Sequence, residues 1–421
     1  MSTLRAELLA AARELVEKQQ KETALPLTAS APASMSGSRK RRFSEDTAEA
    51  TETKQHSVVK LEVESKKSPD VFPNPSTSSL PVPSWASHNG LIQGCRNVTA
   101  YRPLRCIDQG TYGRVFLAED RETGERVALK QIKFETASVN EGFPMTALRE
   151  MGLLLSLIHP NIIRTREVVI GRDLDKVYMV MDYMPYNMRD FLEKLPSGTQ
   201  FTQGEVKCLM QQLVEGLAHI HGKWVMHRDL KTANLLISPN GRLTICDFGL
   251  ARTYGHPRRS YTETVVSLWY RAPEVLLSKG DYGPALDMWA VGCIFAEFLT
   301  REPLFPARGE SEAISLIFSL LGTPSAKHWE GWKSLPNVAA LRAAERNHPP
   351  KSLRGALKLG GVGTAHIGGA QLSDAGLSLL MALLEVNPEK RISAEAALEH
   401  PWFSEYPPPC DPRLLPAFPA K

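Results

Sequence analysis

The octapeptide His227-Arg228-Asp229-Leu230-Lys231-Thr232-Ala233-Asn234, with Asp247-Phe248-Gly249 beginning thirteen residues after Asn234, constrains this chain more than any other feature. For these residues to act together, two loops must line one crevice. The spacing presents a proton acceptor and two metal-binding side chains, the set needed to move a phosphoryl group from ATP to a hydroxyl. Asp229 is placed to accept the hydroxyl proton. Asn234 and Asp247 are hard oxygen ligands suited to Mg²⁺, which keeps several waters and needs few protein groups. Lys231, between base and metal ligand, can neutralise charge developing on the transferred group.

Other parts of the same chemistry lie upstream in a compatible order. Gly110-Thr111-Tyr112-Gly113 falls between two expected strands, where a backbone without side chains can approach a phosphate chain. Asp108 stands where a full G-x-G-x-x-G pattern has its first glycine, so a plain hairpin turn explains this segment equally well by itself. The strand Val127-Ala128-Leu129-Lys130 follows, and Glu150 comes twenty residues after Lys130 on an expected helix. A lysine that holds α- and β-phosphates needs a carboxylate to fix its ammonium, and these two residues form that pair.

A chain of 421 residues calls for two domains with extensions. Its formal net charge of +4 gives no general affinity for nucleic acid. The six cysteines (Cys95, Cys106, Cys208, Cys246, Cys293 and Cys410) contain no C-x-x-C pair, which fits free thiols in a reducing compartment. Charges at Arg5, Glu7, Arg13 and Glu14 interrupt any signal-peptide core, and no apolar run is long enough to span a membrane. A soluble intracellular protein is expected.

Residues 1–95, rich in Ser, Pro, Thr and Lys, read as a disordered arm. Within it, Leu4, Leu8, Leu15 and Val16 recur at helical spacing, as a docking helix or a transient one would. Arg39-Lys40-Arg41-Arg42 is compatible with a nuclear import signal or with an ordinary basic run. Beyond the arm the pattern is α+β: a small β-rich lobe (96–184) with one helix from Phe143 to Ile158 after Pro144, then a larger, mainly helical lobe (185–405), then a Pro-rich tail (406–421). Expected helices are Thr202 to His219, Ala285 to Leu299, Glu310 to Leu321, Leu377 to Leu384 and Ala394 to His400. Gly355 to Ala370 reads as a glycine-rich surface insertion.

The chain from Arg96 to about residue 405 resembles a eukaryotic protein kinase of the cyclin-dependent group, and within it the PITSLRE-type kinases. The likeness is carried by Glu141-Gly142-Phe143-Pro144-Met145-Thr146-Ala147-Leu148-Arg149-Glu150, close to EGFPITSLRE, by Val225 to Asn234, and by the terminal Phe418-Pro419-Ala420-Lys421. Met145 and Ala147 depart from the family helix. An acidic residue at the position of Asp108 also occurs in these relatives. The resemblance implies a bilobal kinase fold with ATP and Mg²⁺ in the cleft. Ile107, Val115, Ala128 and Leu236 would enclose the adenine, with Met181 behind it and Met184 on the hinge. Asp108, Gln109, Gly110, Thr111, Tyr112, Gly113 and Arg114 would form the loop over the phosphates.

The same resemblance implies a cyclin-type activator on the helix from Pro144 to Glu150, turning Glu150 inward. It also implies an activating phosphate on Thr262, held by Arg149, Arg228 and Arg252; Ser260, Tyr261 and Thr264 are neighbouring hydroxyls. Thr111 and Tyr112 match inhibitory phosphorylation sites. Val265 to Arg271 resembles the segment that selects proline after the modified residue, and Lys231 points to serine or threonine as acceptor. Glu274 and Arg391 match a structural ion pair. Two rival readings are a scaffold that binds cyclin and ATP without turnover, and a kinase that needs no cyclin.

Overall fold

The computed structural model describes residues 95–110, 113–132, 145–171, 176–196, 198–255, 261–262, 265–343, 345–360 and 371–416. Expectations attached to residues 1–94, Thr111, Tyr112, Pro144, Ser260, Thr264 and 417–421 lie outside them.

Alternating apolar residues build a five-stranded antiparallel sheet in the first lobe: β1 (Tyr101–Gly110), β2 (Gly113–Asp120), β3 (Arg126–Ile132), β4 (Thr165–Ile170) and β5 (Val177–Asp182), in the order β1-β2-β3-β5-β4. Val127, Leu129 and Val180 are fully or nearly fully buried, whereas Ala128 and Lys130 stand on the opposite face of β3. The turn between β1 and β2 depends on Gly113: its φ is 151°, and a Cβ there would collide with the carbonyl of Gln131 on β3. Helix α1 (Met145–Ser156) buries Met151 and Leu154 and ends two residues before the expected Ile158.

The second lobe begins with β6 (Tyr186–Asn187) and α2 (Met188–Lys194), followed by α3 (Gln203–Gly222). Thr202 and Glu205 form a reciprocal capping box that starts α3. The helix runs three residues past the expected His219. The short strands β7 (Val225–Met226), β8 (Leu235–Ile237), β9 (Leu243–Ile245) and β10 (Arg252–Thr253) carry the loops of interest; β8 pairs with β6 and β9, and β10 with β7. Then come α4 (Pro273–Leu277), α5 (Ala285–Thr300), α6 (Glu310–Leu321), α7 (Leu353–Ala356), α8 (Asp374–Leu383) and α9 (Ala394–Leu398).

Helix α5 is buried on almost every side and forms the centre of the lobe, as an all-round apolar helix must. It reaches Thr300, one residue beyond expectation. Helix α8 starts at Asp374, three residues earlier than expected, because Ser373 caps it through the backbone N–H of Gly376. Helix α9 stops at Leu398, two residues short of His400. Gly355 and Ala356 belong to α7, capped by Ser352, so the insertion expected from Gly355 begins as helix. Arg391 and Glu274 form the expected pair, at 2.6 and 2.9 Å and buried on both sides.

The described part of the Pro-rich tail is packed rather than loose. Lys207 on α3, with no side-chain exposure, donates to the carbonyls of Glu405 and Pro407 at 2.8 Å each. The backbone N–H of Cys410 donates to the carbonyl of Gly204 at 3.0 Å. Gly241 has a φ of 75°, and any Cβ there would collide with the carbonyl of Pro412.

Candidate active site

Asp229 sits in the loop after β7, almost buried. One carboxylate oxygen accepts from the backbone N–H and the hydroxyl of Ser267, at 3.2 and 3.1 Å. The other accepts from Lys231 Nζ at 2.7 Å and from the amide of Asn234 at 3.1 Å. Lys231 also donates to Ser267 Oγ at 3.1 Å. The carboxylate is thus fixed in direction by four donors. Asn234 spends its amide nitrogen on Asp229, through the side chain and the backbone carbonyl at 2.8 Å, which leaves its carbonyl oxygen as the atom for a cation.

Asp247 follows β9 in the left-handed conformation, φ 63°. Its Oδ1 accepts from Lys130 Nζ at 3.3 Å, and the same ammonium donates to Glu150 Oε1 at 2.6 Å. Residues from β3, α1 and the loop after β9 therefore meet at one ammonium group. Burial pulls the Lys130 pKa down, but the carboxylates of Glu150 and Asp247 outweigh it and leave the pKa raised. Burial pushes the Asp247 carboxyl up, but nearby positive charge, Lys130 foremost, brings its pKa below the usual carboxylate range. Lys130 is 9% exposed: β3 holds it inside the cleft, against two carboxylates.

Ala128 pairs with Met181 across β3 and β5, and Val115 pairs with Lys130 across β2 and β3. Ile107, Val115, Met181 and Leu236 are half-buried, while Ala128 and Met184 are buried. Asp108, Gln109 and Arg114 are exposed on the two strands flanking the β1–β2 turn.

Around Thr262 the expected cluster forms in part. Arg228, buried and left-handed (φ 67°), donates to the Leu250 carbonyl and the Tyr282 hydroxyl at 2.7 Å each, and its Nη1 lies 3.5 Å from Thr262 Oγ1. Its Nη2 is buried with no hydrogen-bond partner among the described residues. Burial, and then the positive charge of Arg228, lowers the Arg149 pKa, so the two guanidiniums are close. Arg252 donates to the carbonyl of its neighbour Ala251 at 2.7 Å.

A family model described as protein kinase domain matches residues 101–403. The chain is 47% identical over 345 residues to cyclin-dependent kinase G-2 of Oryza sativa subsp. japonica, covering 82% of this chain and 47% of the relative. It is 45% identical over 346 residues to serine/threonine-protein kinase PITSLRE of Drosophila melanogaster (81% and 35%), and 46% identical over 330 residues to cyclin-dependent kinase 11B of Rattus norvegicus (78% and 72%). The chain belongs to the PITSLRE-type cyclin-dependent protein kinases. It spans less than half the length of the rice and fly relatives.

Three features of this PITSLRE-type kinase escaped the sequence reading. Asp287, on α5 and fully buried, accepts from the backbone N–H groups of His227 and Arg228 at 2.9 Å each and contacts His221 Nε2 at 3.0 Å. It holds the backbone beside Asp229; its only sequence signal is that it is one of two carboxylates, with Glu297, in a mostly apolar helix. His227 receives the Asp229 N–H on Nδ1 at 3.2 Å, and its Nε2 faces the Cys246 carbonyl at 3.0 Å. A peptide N–H can only donate and a carbonyl only accept, so the ring carries its proton on Nε2. His227 thereby ties the loop of Asp229 to the strand end that precedes Asp247. Val266, β-branched, is left-handed (φ 65°), and its carbonyl accepts from Arg271 at 2.9 and 3.2 Å.

Proposed function

We propose that this chain is an ATP- and Mg²⁺-dependent protein serine/threonine kinase that acts on Ser/Thr-Pro sites and is activated by a cyclin-type partner bound along α1. The observation that carries this reading is the meeting of Lys130, Glu150 and Asp247 at one ammonium, with Asn234 turned onto the fixed carboxylate of Asp229.

In this reading Asp229 orients the acceptor hydroxyl and takes its proton, while Ser267 and Lys231 keep the carboxylate aimed. Lys130, steadied by Glu150, receives the nucleotide phosphates. Ile107, Val115, Ala128, Met181, Met184 and Leu236 enclose the base. Asn234 and Asp247 offer two hard oxygen donors, one of them an ionised carboxylate, and this donor set suits Mg²⁺. When bound, the ion neutralises phosphate charge. Lys231 is near enough to Asp229 to balance charge on the transferred group.

Selection of proline follows from Val266. Its carbonyl is engaged by Arg271, so a substrate N–H at the following position finds no acceptor there, and proline has no N–H to leave unpaired. Activation by phosphate on Thr262 is supported by the buried Nη2 of Arg228 beside it, which has no partner among the described residues, and by the nearness of Arg149. Arg39 to Arg42 supports nuclear import, and roles in transcription, RNA processing or cell-cycle control rest on the family resemblance.

The test is phosphorylation of a Ser-Pro peptide by the full chain in complex with its captured cyclin. Asp229→Asn is expected to lower kcat roughly 10²–10⁴-fold while ATP binding persists. Equal labelling by both proteins would overturn the assignment of Asp229. Full activity without any cyclin would favour the cyclin-independent reading, and none in the wild-type complex the scaffold reading.

A further inference from the structure

We infer that Cys208 and Cys410 form a reversible disulfide that staples the C-terminal tail to α3. The six cysteines show no C-x-x-C spacing, yet folding brings these two together across 202 residues of chain (410 − 208). Both are free thiols in the structure.

The approach is set by backbone. Cys410 docks through its N–H onto the carbonyl of Gly204 at 3.0 Å, and a Cβ built on Gly204 would lie 3.7 Å from the Cβ of Cys410. Cys208 is one helical turn further along α3, on the same face as Gly204. Side chains on a helix lean toward its N-terminus, so the Cys208 thiol points back over Gly204, into the space that the missing side chain leaves. The Cβ and backbone nitrogen of Cys410 lie against that space, which brings Cys410 beside Cys208. The surroundings favour a fixed approach: the adjacent Lys207 pins Glu405 and Pro407, and Gln212 donates to Cys208 Sγ at 3.5 Å.

The two positions differ in access, which gives the order of events. Cys208 is 3% exposed and Cys410 is half-buried. Hydrogen peroxide serves as the oxidant. The Cys410 sulfur attacks one peroxide oxygen, breaking the O–O bond and giving a sulfenic acid and one water. The Cys208 sulfur then attacks that sulfur, forming the S–S bond and releasing a second water. Two thiols lose two electrons and two protons, and one peroxide becomes two waters. Burial pushes the Cys208 thiol up to about 12 and raises Cys410 as well, so the reaction is slow near neutrality and quickens with rising pH.

The experiment treats the full chain with hydrogen peroxide, followed by non-reducing peptide mapping and thermal melting. The expected result is a linked pair of peptides containing Cys208 and Cys410, two hydrogen atoms lighter than the separate peptides and reversed by dithiothreitol. It should be accompanied by a melting temperature raised roughly 3–8 °C. Cys410→Ser should abolish both the link and the rise, while melting like the reduced wild type. Peroxide that modifies Cys106 or Cys246 and leaves Cys208 and Cys410 alkylatable after unfolding would overturn the pairing. A linked pair without any change in melting would overturn the stapling. If Cys208→Ser fails to fold, Cys410→Ser decides alone.

Discussion

Glu150 stands 2.6 Å from Lys130, so α1 already holds its carboxylate in the crevice. Both side chains are almost buried, and Asp247 shares the same ammonium at 3.3 Å. Lys130→Met should therefore abolish peptide phosphorylation and also lower the melting temperature by several degrees, because it strands two carboxylates. One-sided loss of a buried pair costs about 3–5 kcal/mol, an upper limit for a cleft that admits water. Lys130→Arg should restore most of the stability and little of the turnover. Unchanged melting of Lys130→Met would show that the pair contributes nothing to the fold.

Val266 sets a second expectation. An unpartnered peptide N–H costs about 1–3 kcal/mol, so a Ser-Pro peptide should exceed its Ser-Ala counterpart in kcat/KM by roughly 10–100-fold. Arg271→Met frees the Val266 carbonyl and should shrink that ratio. Equal ratios in variant and wild type would remove Val266 from the explanation.

Phosphate on Thr262 would meet the Arg228 N–H that no described residue engages and separate it electrostatically from Arg149. Protein phosphorylated at Thr262, as established by mass spectrometry, should show slower amide exchange over residues 261–268 than the Thr262→Ala variant. Its kcat should be higher as well. Arg149→Gln should reduce both differences without unfolding the chain, since Arg149 is only half-buried.

Asp287 gives a pH dependence. Burial would raise its pKa, but hydrogen bonds led by His221 hold it below the ordinary value of 3.8. A carboxyl depressed in the folded state adds stability at every pH above its unfolded value, and that addition fades as pH falls through the folded value. Asp287→Asn should thus flatten the acid limb of a stability-versus-pH curve below about pH 4 and lower stability at neutral pH. Parallel acid limbs for variant and wild type would exclude Asp287 as the source.

What could be read in advance divides by range. The octapeptide and Asp-Phe-Gly are local: Lys231 and Asn234 meet at Asp229, and the backbone N–H of Cys246, just before Asp247, donates to the Asn234 backbone carbonyl. Strand alternation in Val127 to Lys130 fixed the faces of β3, although it did not reveal how deeply Lys130 is enclosed, because that depends on α1 and on Asp247 more than a hundred residues away. Asp287 acts at a separation of 60 residues, and no local pattern marks the hydrogen bonds it accepts. Helix ends differ from expectation by one to three residues, by three at the start of α8, which Ser373 caps, and by three at the end of α3, where Ile220 continues the buried face. Val266 was unreadable for a different reason: a β-branched residue gives no hint of a left-handed backbone, and the Arg271 that engages its carbonyl shows no pattern with it in the sequence.

The family match ends at Phe403, whereas the folded lobe continues through Leu415, which packs into the core. A minimal catalytic fragment cut at the end of the match would leave the Lys207 ammonium enclosed without its two carbonyl acceptors and would strip the cover from the turn at Gly241. Residues 404–415, which lie beyond the match, are thus part of the fold of the second lobe, and a shortened version of the protein should retain them.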